Sequence, residues 1–263
     1  METVQLIILS VTQGITEFIP VSSSAHLILV SQIFNWDDQG IFIDTTAHLG
    51  SLSAFASFIF CDKFRGNKDK NFFFEDRNIV DYVFVKKIIL ATMPALVLGY
   101  LFRDVIVQDA RNPTVIGLAT IIFALIMLAA DHRRGSRKVC DLSYKEVILI
   151  GLVQSLALIP GVSRSGATLA AALFLGLSRV EGLKFAVILS VPIIIFASFS
   201  EFRLLLFGVP KVDLFDLIFV FFGSMLSSFL CLLLLFKFIN RIGLLPFVIY
   251  RLVLGALILI FLT

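Results

Sequence analysis

The sequence predicts an all-α polytopic membrane protein with an inverted-topology repeat, each half a re-entrant helix hairpin plus three transmembrane helices. Three observations predict it: an apolar composition, two broken apolar segments that carry one motif, and a one-sided distribution of basic residues. Of 263 residues, 59% are hydrophobic and 16% charged, with a mean hydropathy of +0.99. Soluble domains run at about 45–50% apolar and about 25% charged. A water-soluble globule of this length has no interior large enough for so much Leu, Ile and Phe, whereas lipid solvates them.

Spanning segments are expected at 47–61, 87–102, 113–130, 185–207, 214–236 and 243–262. Most are long enough for a hydrocarbon core of ~30 Å, and 47–61 and 87–102 need flanking residues to reach it. Residues 3–34 and 146–178 are different. Each is apolar but broken midway by Pro and a burst of Ser, as PVSSSAH (Pro20 to His26) and PGVSRSGAT (Pro160 to Thr168).

The two breaks read as one motif written twice. The first runs from Gln13 through Pro20 to Ser22, Ser23 and Ser24; the second from Gln154 through Pro160 to Ser163, Arg164 and Ser165. Three expected spans follow each copy. Interrupted apolar segments at matching places in two halves point to an internal repeat with its site at the repeat interface. The chain is therefore read as a single membrane domain, with repeat 1 at about 1–131, repeat 2 at about 145–263 and a basic cytoplasmic loop, 131–145, between them.

Basic residues orient it. If both breaks are hairpins, the cytoplasmic loops hold Lys63, Arg65, Lys68, Lys70, Arg77, Lys86, Lys87, Arg133, Arg134, Arg137, Lys138, Lys145, Arg179, Lys184, Lys237 and Arg241. The outer loops hold only Arg103, Arg111, Arg203 and Lys211. Sixteen against four satisfies the positive-inside rule. Both termini then lie outside, and the hairpins enter from opposite faces so that their tips meet near the midplane. Two kinked crossing helices are the alternative, and they would put some basic loops outside.

The remaining composition excludes other classes. A net charge of +3 does not suggest nucleic acid. Cys61, Cys140 and Cys231 are too few and too scattered for a disulfide framework, and no Cys/His cluster has zinc spacing. The N-terminus lacks the basic region and small-residue site of a cleaved signal peptide.

Arg164 carries the strongest chemical signal. An arginine in an apolar segment costs on the order of several kcal/mol and marks a functional site by default. Its guanidinium fork suits phosphate oxygens. Ser163, Ser165 and the start of the next helix add donors, and Gly161 and Gly166 let the backbone come close to a ligand. The first tip offers Ser22, Ser23 and Ser24 at another helix start. His26 lies three residues beyond Ser23 and shares its face, a spacing that fits a nucleophile and its base, or simply a helix cap and a hydrogen-bonded histidine. Glu17 and Gln13 share a helical face. Glu17 can orient His26, act as acid or base, pair with Arg164, or hold a divalent cation together with Gln13. Asp44, Thr45, Thr46 and His48 can edge the site. Arg251 is expected to meet a buried acid or a lipid phosphate, or to be structural. The DHRRGSRK loop reads as a membrane-surface anchor.

At these motifs the sequence resembles the bacterial undecaprenyl-diphosphate phosphatases, also called bacitracin-resistance proteins. QGITEFIPVSSSAH, with Gln13 and Glu17, is similar to the family's acidic motif. Pro160, Gly161, Ser163, Arg164, Ser165 and Thr168 are similar to its phosphate-binding motif, and the likeness covers essentially the whole chain. It implies hydrolysis of undecaprenyl diphosphate to undecaprenyl phosphate in the bacterial inner membrane, recycling the carrier for peptidoglycan, with the site open to the periplasm. It implies a catalytic serine at Ser23, a histidine at His26, a phosphate-clamping Arg164 and dependence on a divalent cation, Ca²⁺ or Mg²⁺. Two positions depart from the family: Gln13 where many members have Glu, which makes a metal site less anionic, and Ala25 where Gly is common. On this reading Glu17, Ser23, His26 and Arg164 are catalytic, and Gln13, Ser22, Ser163, Ser165 and Thr168 bind substrate. Membrane lipid and the lipid diphosphate are the expected partners, a homodimer is a candidate assembly, and no nucleic acid is involved. The main rival is a transporter or flippase for an anionic lipid or small anion; a channel or scaffold leaves Arg164 and Glu17 without a task.

Overall fold

The structure, a computed structural model, describes residues 1–37, 39–64, 82–102, 112–133, 135–204 and 213–263. Of the basic residues that set the orientation, Arg65, Lys68, Lys70, Arg77, Arg103, Arg111, Arg134 and Lys211, with the side chains of Lys63 and Arg203, lie outside the described residues.

Among the described residues there are ten α-helices. They are α1 (Thr3–Thr16), α2 (Ser23–Ile33), α3 (Ile41–Phe64), α4 (Tyr82–Leu101), α5 (Pro113–Asp131), α6 (Tyr144–Ser155), α7 (Arg164–Phe174), α8 (Arg179–Leu204), α9 (Leu214–Ile242) and α10 (Leu245–Phe261). The broken segments are α1–α2 and α6–α7, each a pair of short helices, and among the described residues three helices follow each pair. α4, α5, α9 and the Arg179–Phe199 part of α8 are long and apolar enough to cross a membrane. α10 has 17 residues, just under that length. α3 has 24 residues, well beyond the 47–61 expected, and its first turns carry Asp44, Thr45, Thr46 and His48, which dilute its apolar character. The outward rows of α9 and α10, including Phe222, Leu226, Leu230, Leu234, Val253 and Ile260, are exposed, as on a face solvated by lipid.

Two compact units are present: Met1–Phe18, His26–Ile79 and Val191–Leu235 form unit 1; Ile19–Ala25, Val80–Ser190 and Phe236–Thr263 form unit 2. Within unit 1, Leu6, Leu9, Leu27, Ile43, Ala47 and Val220 make a buried cluster. Small residues let α1, α3 and α9 approach closely: a Cβ on Gly50 would collide with the Phe221 carbonyl, and one on Gly14 with Ser227. Hydroxyls tie the same helices, with Ser228 Oγ 2.8 Å from Ser51 Oγ and 3.1 Å from Gly14 O. Close approach plus interhelical hydrogen bonds is how helices associate where lipid removes the hydrophobic drive.

Within unit 2, α4 packs on α6 and α5 on α10. Gly151 allows the first contact, since a Cβ there would meet the Ala91 backbone. α6 opens with a capping box: Ser143 Oγ accepts from Glu146 N–H and the Glu146 carboxylate accepts from Ser143 N–H. Arg137 makes a two-pronged pair with Glu146, at 2.7 and 3.1 Å, and also donates to Leu175 O at 2.6 Å. Arg137 is therefore a structural tie to the end of α7, more than the surface anchor its loop suggests. Asp131 similarly joins three elements, accepting from Arg179 Nε at 2.6 Å and Leu244 N–H at 3.0 Å. None of the three cysteines is in a disulfide.

Candidate active site

The two turns share an unusual backbone. Ser22 and Ser163, each immediately before a helix, have φ of 78° and 70°. A left-handed non-glycine residue costs about 1–2 kcal/mol and calls for compensation by its surroundings. Ser163 gains part of it by capping α7, its Oγ accepting from Gly166 N–H at 3.2 Å. Gly161 has φ 96°, and a Cβ there would lie 2.5 Å from Ile116 O, so only glycine fits.

Both turns belong to unit 2, and they touch. Gly161 N–H donates to Ser22 Oγ at 3.3 Å, and Ser165 Oγ donates to Ile19 O at 3.0 Å. Ser163 Oγ and Ser165 Oγ are 3.2 Å apart. Arg164 opens α7, is half-buried, and reaches Ser190 O through Nη1 at 3.4 Å. Thr168 lies one turn further in, fully buried, its Oγ1 3.5 Å from Gln154 Oε1. Gln154 in turn donates to Ala91 O at 3.4 Å.

Arg251 of α10 lies beneath these turns and is fully buried. It meets no buried acid: among the described residues its partners are all backbone carbonyls. Nη1 donates to Pro20 O at 3.1 Å, and Nη2 donates to Gly161 O at 2.8 Å and Val162 O at 3.0 Å. Nε and Nη2 reach Thr120 O at 3.4 and 3.3 Å.

The acidic group lies in unit 1. Glu17 follows the last turn of α1, and its side chain is fully buried. Gln13 Nε2 donates to Glu17 Oε2 at 2.8 Å, so the pair does share one helical face. His48 Nδ1 completes a triangle, 2.8 Å from Gln13 Nε2 and 3.0 Å from Glu17 Oε2. Nδ1 cannot both accept from the amide and donate to the carboxylate, so the tautomer of His48 decides which of the two contacts is a hydrogen bond. Gln13 Oε1 is buried with no hydrogen-bond partner. An orphaned amide oxygen beside a carboxylate fits the oxygen preference of Ca²⁺ or Mg²⁺. No group of three His, Cys, Asp or Glu with metal-ligand geometry occurs among the described residues, so such a site would be sparse.

Ser23 opens α2 half-buried, and His26 lies one turn on and is buried. A hydroxyl and an imidazole three residues apart on a helix share a face.

The family described as "Bacitracin resistance protein BacA" matches residues 6–257. The chain belongs to that family. It is similar over 99% of its length to "Undecaprenyl-diphosphatase 2" of Stutzerimonas stutzeri (strain A1501), at 43% identity and 98% coverage of that protein. It is also similar to the "Undecaprenyl-diphosphatase" proteins of Campylobacter curvus (strain 525.92), at 40% identity, and Campylobacter concisus (strain 13826), at 41%, each over 98% of both chains.

Two residues of this BacA-family chain gain weight only in three dimensions. The sequence places His48 only at the edge of the site; the signal for its contact with Glu17 is a histidine one turn after Asp44 in the polar first turns of α3. Arg251 is flanked by Tyr250 and Leu252 in an apolar run, and nothing in that pattern says which carbonyls it gathers.

Proposed function

We propose that this chain hydrolyses undecaprenyl diphosphate to undecaprenyl phosphate and inorganic phosphate, which recycles the lipid carrier for peptidoglycan and envelope glycan synthesis and makes bacitracin resistance a consequence. One observation carries the chemistry: two serine turns at helix starts are joined by the Gly161 to Ser22 hydrogen bond, with Arg164 at the head of α7. Hydroxyls, helix N-termini and a guanidinium suit the oxygens of a diphosphate.

Phosphoryl transfer needs positioning and charge stabilisation above all. Arg164, Ser163, Ser165 and Thr168 orient and neutralise the diphosphate, with Ser22 beside them. Ser23 Oγ attacks the terminal phosphorus while His26 accepts its proton. The bond from that phosphorus to the bridging oxygen breaks, and undecaprenyl phosphate leaves. Water then cleaves the phosphoserine and releases phosphate. Direct attack by water, with Ser23 binding phosphate, is the competing route. Glu17 orients His26, or with Gln13 would hold a divalent cation, which would supply charge neutralisation.

The finer architecture belongs to the same proposal. Among the described residues, two short helices followed by three further helices recur in each half, which supports an inverted repeat of re-entrant hairpins within a single domain. Sixteen basic residues against four support an inner-membrane orientation with the site open to the periplasm.

The test is phosphate release from prenyl diphosphates of several lengths by purified protein, with and without chelator. Release that survives both Arg164→Ala and His26→Ala overturns the site. No release, with substrate flux in sealed vesicles, makes the protein a transporter.

A further inference from the structure

We infer that Arg251 is the positioning residue of the two serine turns, a cation that sets their peptide planes and adds positive charge behind them. The inference rests on the reading of those turns as the diphosphate cradle. It starts from an imbalance. A buried guanidinium needs compensation, and a carboxylate is the usual source. Here the compensation comes from four carbonyl oxygens, contributed by Thr120 of α5, Pro20 of the first turn, and Gly161 and Val162 of the second. Carbonyl dipoles satisfy the donors but leave the unit charge in place. A fold seeking stability alone would not retain a buried charge there, since an apolar side chain of similar volume is often as stable.

The geometry gives that charge a task. A trans peptide points its C=O and N–H in opposite directions. Drawing Val162 O to the guanidinium therefore turns Ser163 N–H away from it. Drawing Gly161 O and Pro20 O the same way fixes the planes that carry Val162 N–H and Val21 N–H, which close the turns on Ile159 O at 3.2 Å and Ile19 O at 2.8 Å. One planar fork thus fixes both turns at once, next to the left-handed Ser22 and Ser163 that otherwise favour relaxation. The start of α7 is close as well: a Cβ on Gly166 would lie 3.3 Å from Arg251 Nη1. A lysine keeps the charge but cannot span carbonyls from three elements. A glutamine loses both.

The experiment measures kcat and KM per folded molecule for phosphate release from undecaprenyl diphosphate, with melting temperature alongside, for Arg251→Lys, Arg251→Gln and Arg164→Ala. Arg251→Lys is expected to lower kcat about 10-fold or more with KM near wild type, the loss of hydrogen bonds from a charged donor. Arg251→Gln is expected to lower kcat about 100-fold, the scale of a small misplacement of reacting groups, and to raise KM because the charge is gone. Wild-type kcat per folded molecule in both variants, whatever their melting temperatures, reduces Arg251 to a structural residue and overturns the inference. If Arg164→Ala is inactive in that case, only the role of Arg251 falls; if it too is active, the phosphatase reading falls first. Should neither Arg251 variant fold, Thr120→Val carries the test, because it removes only the hydroxyl 3.4 Å from Gly161 O. A kcat about 2- to 10-fold lower with unchanged melting supports positioning of the turn, and an unchanged kcat overturns it.

Discussion

Ser22 and Ser163 both have a positive φ, 78° and 70°, each one residue before a helix begins. Local sequence does not require this of serine. It repeats where two turns that lead into helices are hydrogen-bonded to each other, Gly161 N–H to Ser22 Oγ and Ser165 Oγ to Ile19 O.

Substitutions at Ser163 separate backbone from hydroxyl. Ser163→Gly relaxes φ but loses the cap, so stability should change little. Ser163→Val keeps a side chain, forbids the geometry and loses the cap, and should destabilise by about 2 kcal/mol or more. Thermal unfolding in detergent reads the difference. Equal melting of the two variants would mean that the left-handed geometry is not a constraint.

Replacing Arg164 by Ala should reduce kcat by about 10²–10³-fold, the effect of removing one preorganised donor from a developing charge. Arg164→Lys should recover only part, because an ammonium lacks the planar fork. Steady-state phosphate release measures both, and full recovery by Lys would argue for charge alone.

Gln13→Glu should place a second carboxylate beside Glu17, whose Oε2 now accepts from the Gln13 amide at 2.8 Å. If the proposed cation binds at this pair, a more anionic oxygen pair should lower the Mg²⁺ or Ca²⁺ concentration that gives half-maximal activity. Titrating activity against free cation tests this; an unchanged midpoint separates the cation from this pair.

Acid should loosen the base of α6. Arg137 and the Ser143 N–H hold the Glu146 carboxyl down from an ordinary 4.5 to about 2. A carboxyl with a depressed pKa contributes stability above its unfolded pKa and loses it as pH falls through the folded one. The melting temperature should therefore fall between pH 4.5 and about 2, and Glu146→Gln should flatten that decline. The pair is largely solvated, so the change should be modest and salt-sensitive. A decline as steep in the variant as in wild type would assign the acid loss to other groups.

Much of this fold is legible in one dimension, because lipid imposes a simple rule on composition. Apolar runs, Pro–Ser breaks and the repeated Gln-to-Ser spacing mark where short helices end and long ones begin, and α2 and α7 start where those breaks predict. α3 begins well before the apolar run because Asp44, Thr45, Thr46 and His48 interrupt the apolar signal while the backbone stays helical. Glu17 and Arg164 stood out by charge in apolar surroundings. His48 did not, because a half-buried histidine in a helix has many ordinary explanations.

By itself the sequence determined the class of protein, the broken segments and the residue types at each turn, since hydropathy and spacing are local quantities that the bilayer reads directly. The tertiary structure alone decided that Ser22 meets Gly161, that Glu17 meets His48 and that Arg251 binds backbone carbonyls. Those are contacts between residues distant in the chain. Their partners follow from how helices pack, through glycine-sized gaps and shared carbonyls, and no periodicity along the sequence records that.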